Sequence, residues 1–131
     1  MIVLDASAVL ELVLGTDRGR RIGHRIAPRA ETLHAPHLLD VEVLQAVRRY
    51  ARAGEIGEVR ARTALMALRD LDATRYAHDV LLERMWALRE NMTAYDAAYV
   101  ALAEGLDCPL LTTDRKLASA PGCSVAIELV E

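Results

Sequence analysis

Apolar and polar positions follow two rhythms along this chain. Short segments, too brief for helices, read as strands: residues 2–5 (IVLD), apolar enough to be buried on both faces, 31–36 (ETLHAP), the candidate 73–78 (ATRYAH), 109–114 (PLLTTD) and 124–130 (SVAIELV). Between them apolar residues recur every three or four positions, the period of a helix face. This predicts helices over 7–15, 16–27, 38–54, 57–71, 79–91, 94–106 and 115–119. Ser7, Asp79 and Thr93 are the expected caps at helix starts, and Gly15 and Gly54 mark helix ends. The segment "AYDAAYVALAEGL" is apolar on nearly every side, so that helix is expected inside the molecule. Strands separated by helices require right-handed crossovers and a parallel sheet covered on both sides. The expectation is a single three-layer α/β/α domain spanning residues 1–131.

Composition narrows the function classes. Hydrophobic residues make up 53% of 131, enough for one continuous core and too many for disorder. The formal charge of −3 argues against nucleic-acid binding by a global positive field. Aromatic residues are 4% with no Phe, which excludes an RRM-like or OB-like stacking platform and leaves phosphates as the point of contact. Fifteen of the sixteen basic residues are Arg, and the clusters at 18–29 and 48–52 read as solvated faces. Cys108 and Cys123 form no CxxC pair and are expected as reduced thiols. Asp5 interrupts the one apolar N-terminal run, no basic segment precedes it, and no apolar stretch approaches the ~18 residues of a membrane span. A cytoplasmic protein is expected.

The acidic residues then sort by position. In a parallel α/β sheet every strand ends, and every following helix begins, along one edge, where ligands bind. Asp5 ends the first strand and Asp114 the fourth; Glu42 lies in the first turns of the helix after the second strand, and Asp96 in the first turn of the helix before the fourth. All four belong to that edge, whereas Asp72 and Asp107 precede strands and fall on the opposite one. Asp40 is two residues from Glu42, faces elsewhere, and reads as a cap or solvent residue. Two like charges ~4 Å apart cost about 4 kcal/mol at an effective dielectric near 20, so such a cluster persists by sharing protons or binding a cation. Oxygen donors without His or Cys select a hard ion, Mg²⁺ or Mn²⁺, and the chemistry that suits it is phosphodiester hydrolysis by an activated water.

The stretches "MIVLDASAV", "LLDVEVLQAVRR", "MTAYDAAYVALAE" and "PLLTTDRKL", in this order and spacing, resemble the PIN-domain ribonucleases, specifically the VapC toxin branch. That resemblance implies a five-stranded parallel sheet in order 3-2-1-4-5 and a Mg²⁺- or Mn²⁺-dependent endoribonuclease. It also implies the toxin half of a type II toxin–antitoxin system, with RNA as substrate, a VapB-type antitoxin as partner, and a homodimer. Asp5, Glu42, Asp96 and Asp114 fall on the family's acidic quartet as catalytic and metal-binding residues, with Asp5 and Asp96 the first choices as direct ligands. Ser7, Thr112 and Thr113 supply hydroxyls beside the site, and Arg115 and Lys116 are candidates to hold RNA phosphate. Two other readings are weighed against this. An aspartate-nucleophile phosphatase needs a second acid two residues after the first, where this chain has Ser7. A degenerate, non-catalytic PIN module that only binds RNA or protein would be favoured by loss of an acidic position, and all four are present.

Overall fold

The central strand is the most apolar of the five. β1 (Ile2–Leu4) is buried along its whole length because strands flank it on both sides and helices cover both its faces. The computed structural model describes all residues, Met1–Glu131. Around β1 lie β2 (Leu33–Pro36) and β3 (Ala73–Tyr76) on one side, β4 (Leu110–Thr112) and β5 (Ile127–Leu129) on the other. The order is β3-β2-β1-β4-β5, all pairs parallel, as the sequence resemblance implied. Val3 is in register with His34 on one side and Leu110 on the other. The sheet reverses direction of growth at β1, so the crevice beyond the carboxyl ends of β1 and β4 is the expected ligand position.

Helices α1 (Ala6–Leu14), α2 (Asp17–Ile26), α3 (Leu38–Arg52) and α4 (Glu58–Asp70) pack on one another as one layer. α5 (Leu82–Ala87) and α6 (Ala94–Leu106) form the other, and α6 lies across β1, β2 and β4. The short α7 (Arg115–Ala118) packs against β4 and β5. The expected internal helix is α6: every residue from Ala97 to Ala103 is buried. One cluster of 26 buried residues runs through sheet and helices, so the core is continuous. Gly19 lets α2 approach α1 closely; a Cβ there would collide with the backbone carbonyl of Glu11. No helix is long and apolar enough to cross a membrane, and Cys108 and Cys123 are free thiols.

Two local expectations need correcting. Ser7 does not cap α1: Asp5 occupies that position without a side-chain cap bond, because the Ser7 hydroxyl is drawn to the Asp5 carboxylate instead. Asp79 does not open one long helix. Residues Asp79–Leu81 form a 3₁₀ turn before α5, with Leu81 turned inward while its neighbours Val80 and Leu82 stay exposed. Three consecutive apolar residues cannot share one helical stripe, and the tighter turn buries only one of them.

Candidate functional site

Asp5 leaves β1 at the switch point, only 5% exposed, with its amide still in the sheet through a 2.9 Å bond to the Leu111 carbonyl. Two hydroxyls donate to the same carboxylate oxygen, Oδ2: Ser7 Oγ at 2.6 Å and Thr112 Oγ1 at 2.8 Å. Those hydroxyls are themselves oriented by backbone amides. Thr113 N–H donates to Ser7 Oγ at 3.1 Å, and Asp114 N–H to Thr112 Oγ1 at 3.0 Å. Each hydroxyl proton is thus committed to Asp5, so the 3.1 Å approach of Ser7 Oγ to Thr112 Oγ1 carries no proton of its own. Burial pushes the Asp5 carboxyl above its ordinary range, and the Ser7 and Thr112 bonds oppose that. This arrangement joins the end of β1 to the β4–α7 turn.

Glu42 approaches from the second turn of α3. Its Oε1 is buried and meets no donor. Burial first, then the charges of Asp5 and Asp96, push its carboxyl up to about 7. The buried Tyr99 hydroxyl of α6 is equally without a partner. It lies near enough to favour the Glu42 carboxylate, yet the pair falls short of hydrogen-bond geometry. Asp96 sits in the first turn of α6, its amide donating to the Thr93 cap at 3.2 Å. Burial, then Asp5 and Asp114, raise its carboxyl, while the Thr93 hydrogen bond and Lys116 partly offset them.

Asp5, Glu42 and Asp96 therefore share one field of mutual repulsion. Asp114 is felt by Asp96 but is otherwise occupied: exposed, it caps α7 by accepting from Lys116 N–H at 2.8 Å and Leu117 N–H at 3.4 Å. Thr113 contributes its backbone amide rather than its hydroxyl. Arg115 turns away to pair with Glu131 at 2.7 Å. Lys116 lines a cleft with Asp96. In the 18–29 stretch, Arg18, Arg20 and Arg25 are paired with carboxylates, in keeping with a structural surface.

The donor set fits a hard divalent ion by its chemistry. It is all oxygen, and the buried Glu42 oxygen lacks any partner. It does not form a closed cage, since no three His, Cys, Asp or Glu side chains are grouped closely enough to hold an ion as they lie.

Tyr99 was not singled out from the sequence, although it lies three residues after Asp96 and so shares its helix face. Two anchors of α3 also escaped notice. Arg75 on β3 forks onto Asp40, donating at 3.3 and 3.0 Å, and the Leu38 amide donates to His78 Nε2 at 3.0 Å. These fix the first turn of the helix that carries Glu42.

The profile of the PIN domain matches residues 2–122. Ribonuclease VapC9 of Mycobacterium tuberculosis (strain ATCC 25618 / H37Rv) is 44% identical over 130 residues, covering 99% of this chain and 98% of the relative. The chain belongs to the VapC family of PIN-domain ribonucleases. Ribonuclease VapC1 of the same strain is 46% identical over 129 residues, 98% of this chain and 96% of its own length. Among solved structures, PAE2754 from Pyrobaculum aerophilum superposes with a TM-score of 0.73 at 27% identity, over 97% of this chain and 82% of that one.

Proposed function

We propose that this chain is an endoribonuclease that hydrolyses RNA phosphodiester bonds at the crevice formed by Asp5, Glu42 and Asp96, with Asp114 at its margin. One observation carries the reading: Asp5, Glu42 and Asp96 meet at the switch point, where burial first and then neighbouring carboxylate charge raise the proton affinity of Glu42 and Asp96, with Lys116 offsetting part of the effect on Asp96. A fold has no structural use for that arrangement, since replacing any one of the acids by an amide would relieve it. Full-length identity to named ribonucleases supplies the reaction class.

In this reading Mg²⁺ or Mn²⁺ is held by Asp5, Glu42 and Asp96, with Asp114 in support. When bound, the ion neutralises phosphate charge and acidifies a water. The protein groups do the rest. Asp5 is held in one orientation by the Ser7 and Thr112 hydroxyls, so it binds without loss of rotamer freedom. Glu42 keeps one buried oxygen unpartnered, placing it either in the ligand set or beside the attacking water as the group that takes its proton. Thr112 couples Asp5 to the turn that bears Asp114.

The same reading makes the chain the toxin of a toxin–antitoxin pair, working as a homodimer and neutralised by a VapB-type partner. A focused negative crevice attracts a basic side chain directly and repels RNA unless a cation intervenes. The antitoxin is therefore expected to insert Arg or Lys near Asp5 and Asp96. The test is incubation of purified protein with total RNA, with and without Mg²⁺, followed by mapping of the new ends. Discrete, metal-dependent ends are expected. Their absence in both Mg²⁺ and Mn²⁺ would leave the non-catalytic PIN reading.

A further inference from the structure

Tyr99 is the largest of the fully buried side chains, and its ring belongs to the core cluster. The ring packs; the hydroxyl on it needs a separate account. A buried hydroxyl that bonds to nothing has given up water without return, and Phe would fill the same space at no such cost. The Tyr99 hydroxyl is in that position. Burial first, then the charges of Glu42, Asp5, Asp96 and Asp40, hold its phenol far above the ordinary range, so it keeps its proton and remains a donor. The other acids of the crevice have their donors. Ser7 and Thr112 serve Asp5, the Lys116 and Leu117 amides serve Asp114, and Thr93 and Lys116 act on Asp96. The buried Oε1 of Glu42 has none. What remains is one orphaned donor on α6 and one orphaned acceptor on α3, near enough for the phenol to favour the Glu42 carboxylate.

We propose that Tyr99 is the positioning residue of Glu42: its hydroxyl donates to one carboxylate oxygen and so leaves the other turned toward a divalent ion in the crevice. The proposal rests on the reading of these carboxylates as a metal site and adds the group that orders Glu42 within it. Asp5 shows the same device already assembled, with two hydroxyls converging on one oxygen. Glu42 needs it more, because a Glu side chain has more torsions to fix than Asp and their freedom opposes ligation. Tyr99 is suited to the task, since its ring is locked by the core and its hydroxyl is held in place before any ligand arrives. As the side chains lie the bond is not made, so the hydroxyl adds nothing to the fold by itself.

The test separates metal affinity from stability, without RNA. Tyr99→Phe keeps the ring and removes only the donor. In chelator it should melt no lower than wild type, because the lost hydroxyl has no partner in the fold. Its Mn²⁺ affinity, read from the electron paramagnetic resonance signal of the free ion, should fall about tenfold, the low end for loss of a group that orients a ligand. Beside Glu42→Gln the same change should cost less than about twofold, since the charge that the hydroxyl orients is gone. Tyr50→Phe, at the far end of α3, should leave Mn²⁺ affinity as it is. A lower melting temperature in chelator would make the hydroxyl part of the fold. An unchanged Mn²⁺ affinity, or an equal loss beside Glu42→Gln, would separate it from Glu42. Each of these overturns the role given to Tyr99. Wild type that binds no Mn²⁺ would overturn the metal site itself, a result distinct from wild-type binding that Tyr99→Phe leaves intact.

Discussion

Replacing Glu42 by Gln should stabilise the metal-free protein, and only above a definite pH. The Glu42 carboxyl titrates near 4.5 when unfolded and is pushed up to about 7 in the native state. Between those values the native state binds the extra proton. Stability is therefore lost as pH rises through about 4.5 to 7, and the full penalty is present above 7. At about 1.4 kcal/mol per tenfold change in proton affinity the shift corresponds to ~3 kcal/mol. The carboxyl is only half-buried, and solvent screening reduces this to on the order of 1–2 kcal/mol. Gln resembles the protonated acid, and its amide can donate toward the unpartnered Tyr99 hydroxyl. At roughly 3–5 °C per kcal/mol for a domain of this size, Glu42→Gln should match wild type near pH 4 and melt about 3–10 °C higher at pH 8. The assay is thermal melting in chelator across that range. A difference that does not change with pH, or a variant less stable than wild type at pH 8, would refute the reasoning.

Thr112→Val keeps the shape but removes a donor to Asp5 and strands the Asp114 amide; urea unfolding should show a loss of about 2–4 kcal/mol, and RNA cleavage should fall at least tenfold. Gly19→Ala forces α2 away from the Glu11 carbonyl, and the same unfolding assay should register about 1–3 kcal/mol of destabilisation with the cleft chemistry intact. Added Mn²⁺ should raise the melting temperature of wild type more than that of Asp96→Asn, by mass action on the native state; equal shifts in calorimetric scans would speak against a shared site.

Much of the architecture is legible because the sheet is parallel and covered on both faces. Its inner strands β1 and β4 read as short apolar runs, whereas the edge strand β3 (ATRY) does not, and the edge rule brings the sequence positions of Asp5, Glu42, Asp96 and Asp114 to one location. The internal helix is equally plain, since nothing but burial explains "AYDAAYVALA". What periodicity does not contain is pairing between distant residues. Nothing local says that Thr112 reaches across 107 positions to the Asp5 oxygen, or that His78 supplies the acceptor at the start of α3. Asp114 shows the ambiguity most clearly. A carboxylate at a strand's end and a helix's start is a ligand and a cap by the same signature, and here it caps α7 while still acting on Asp96.

The central claim, that this carboxylate cluster cuts RNA, is tested most directly by cleavage of one defined single-stranded RNA by wild type and Asp5→Asn, in Mg²⁺ and in excess chelator. Asp5→Asn preserves shape and most of the Ser7 and Thr112 contacts while removing the charge. The account predicts cleavage by wild type in Mg²⁺ alone, and a rate at least ~10²-fold lower for a variant that melts like a folded protein. Cleavage by wild type that persists in chelator, or an Asp5→Asn rate equal to that of wild type, would contradict it.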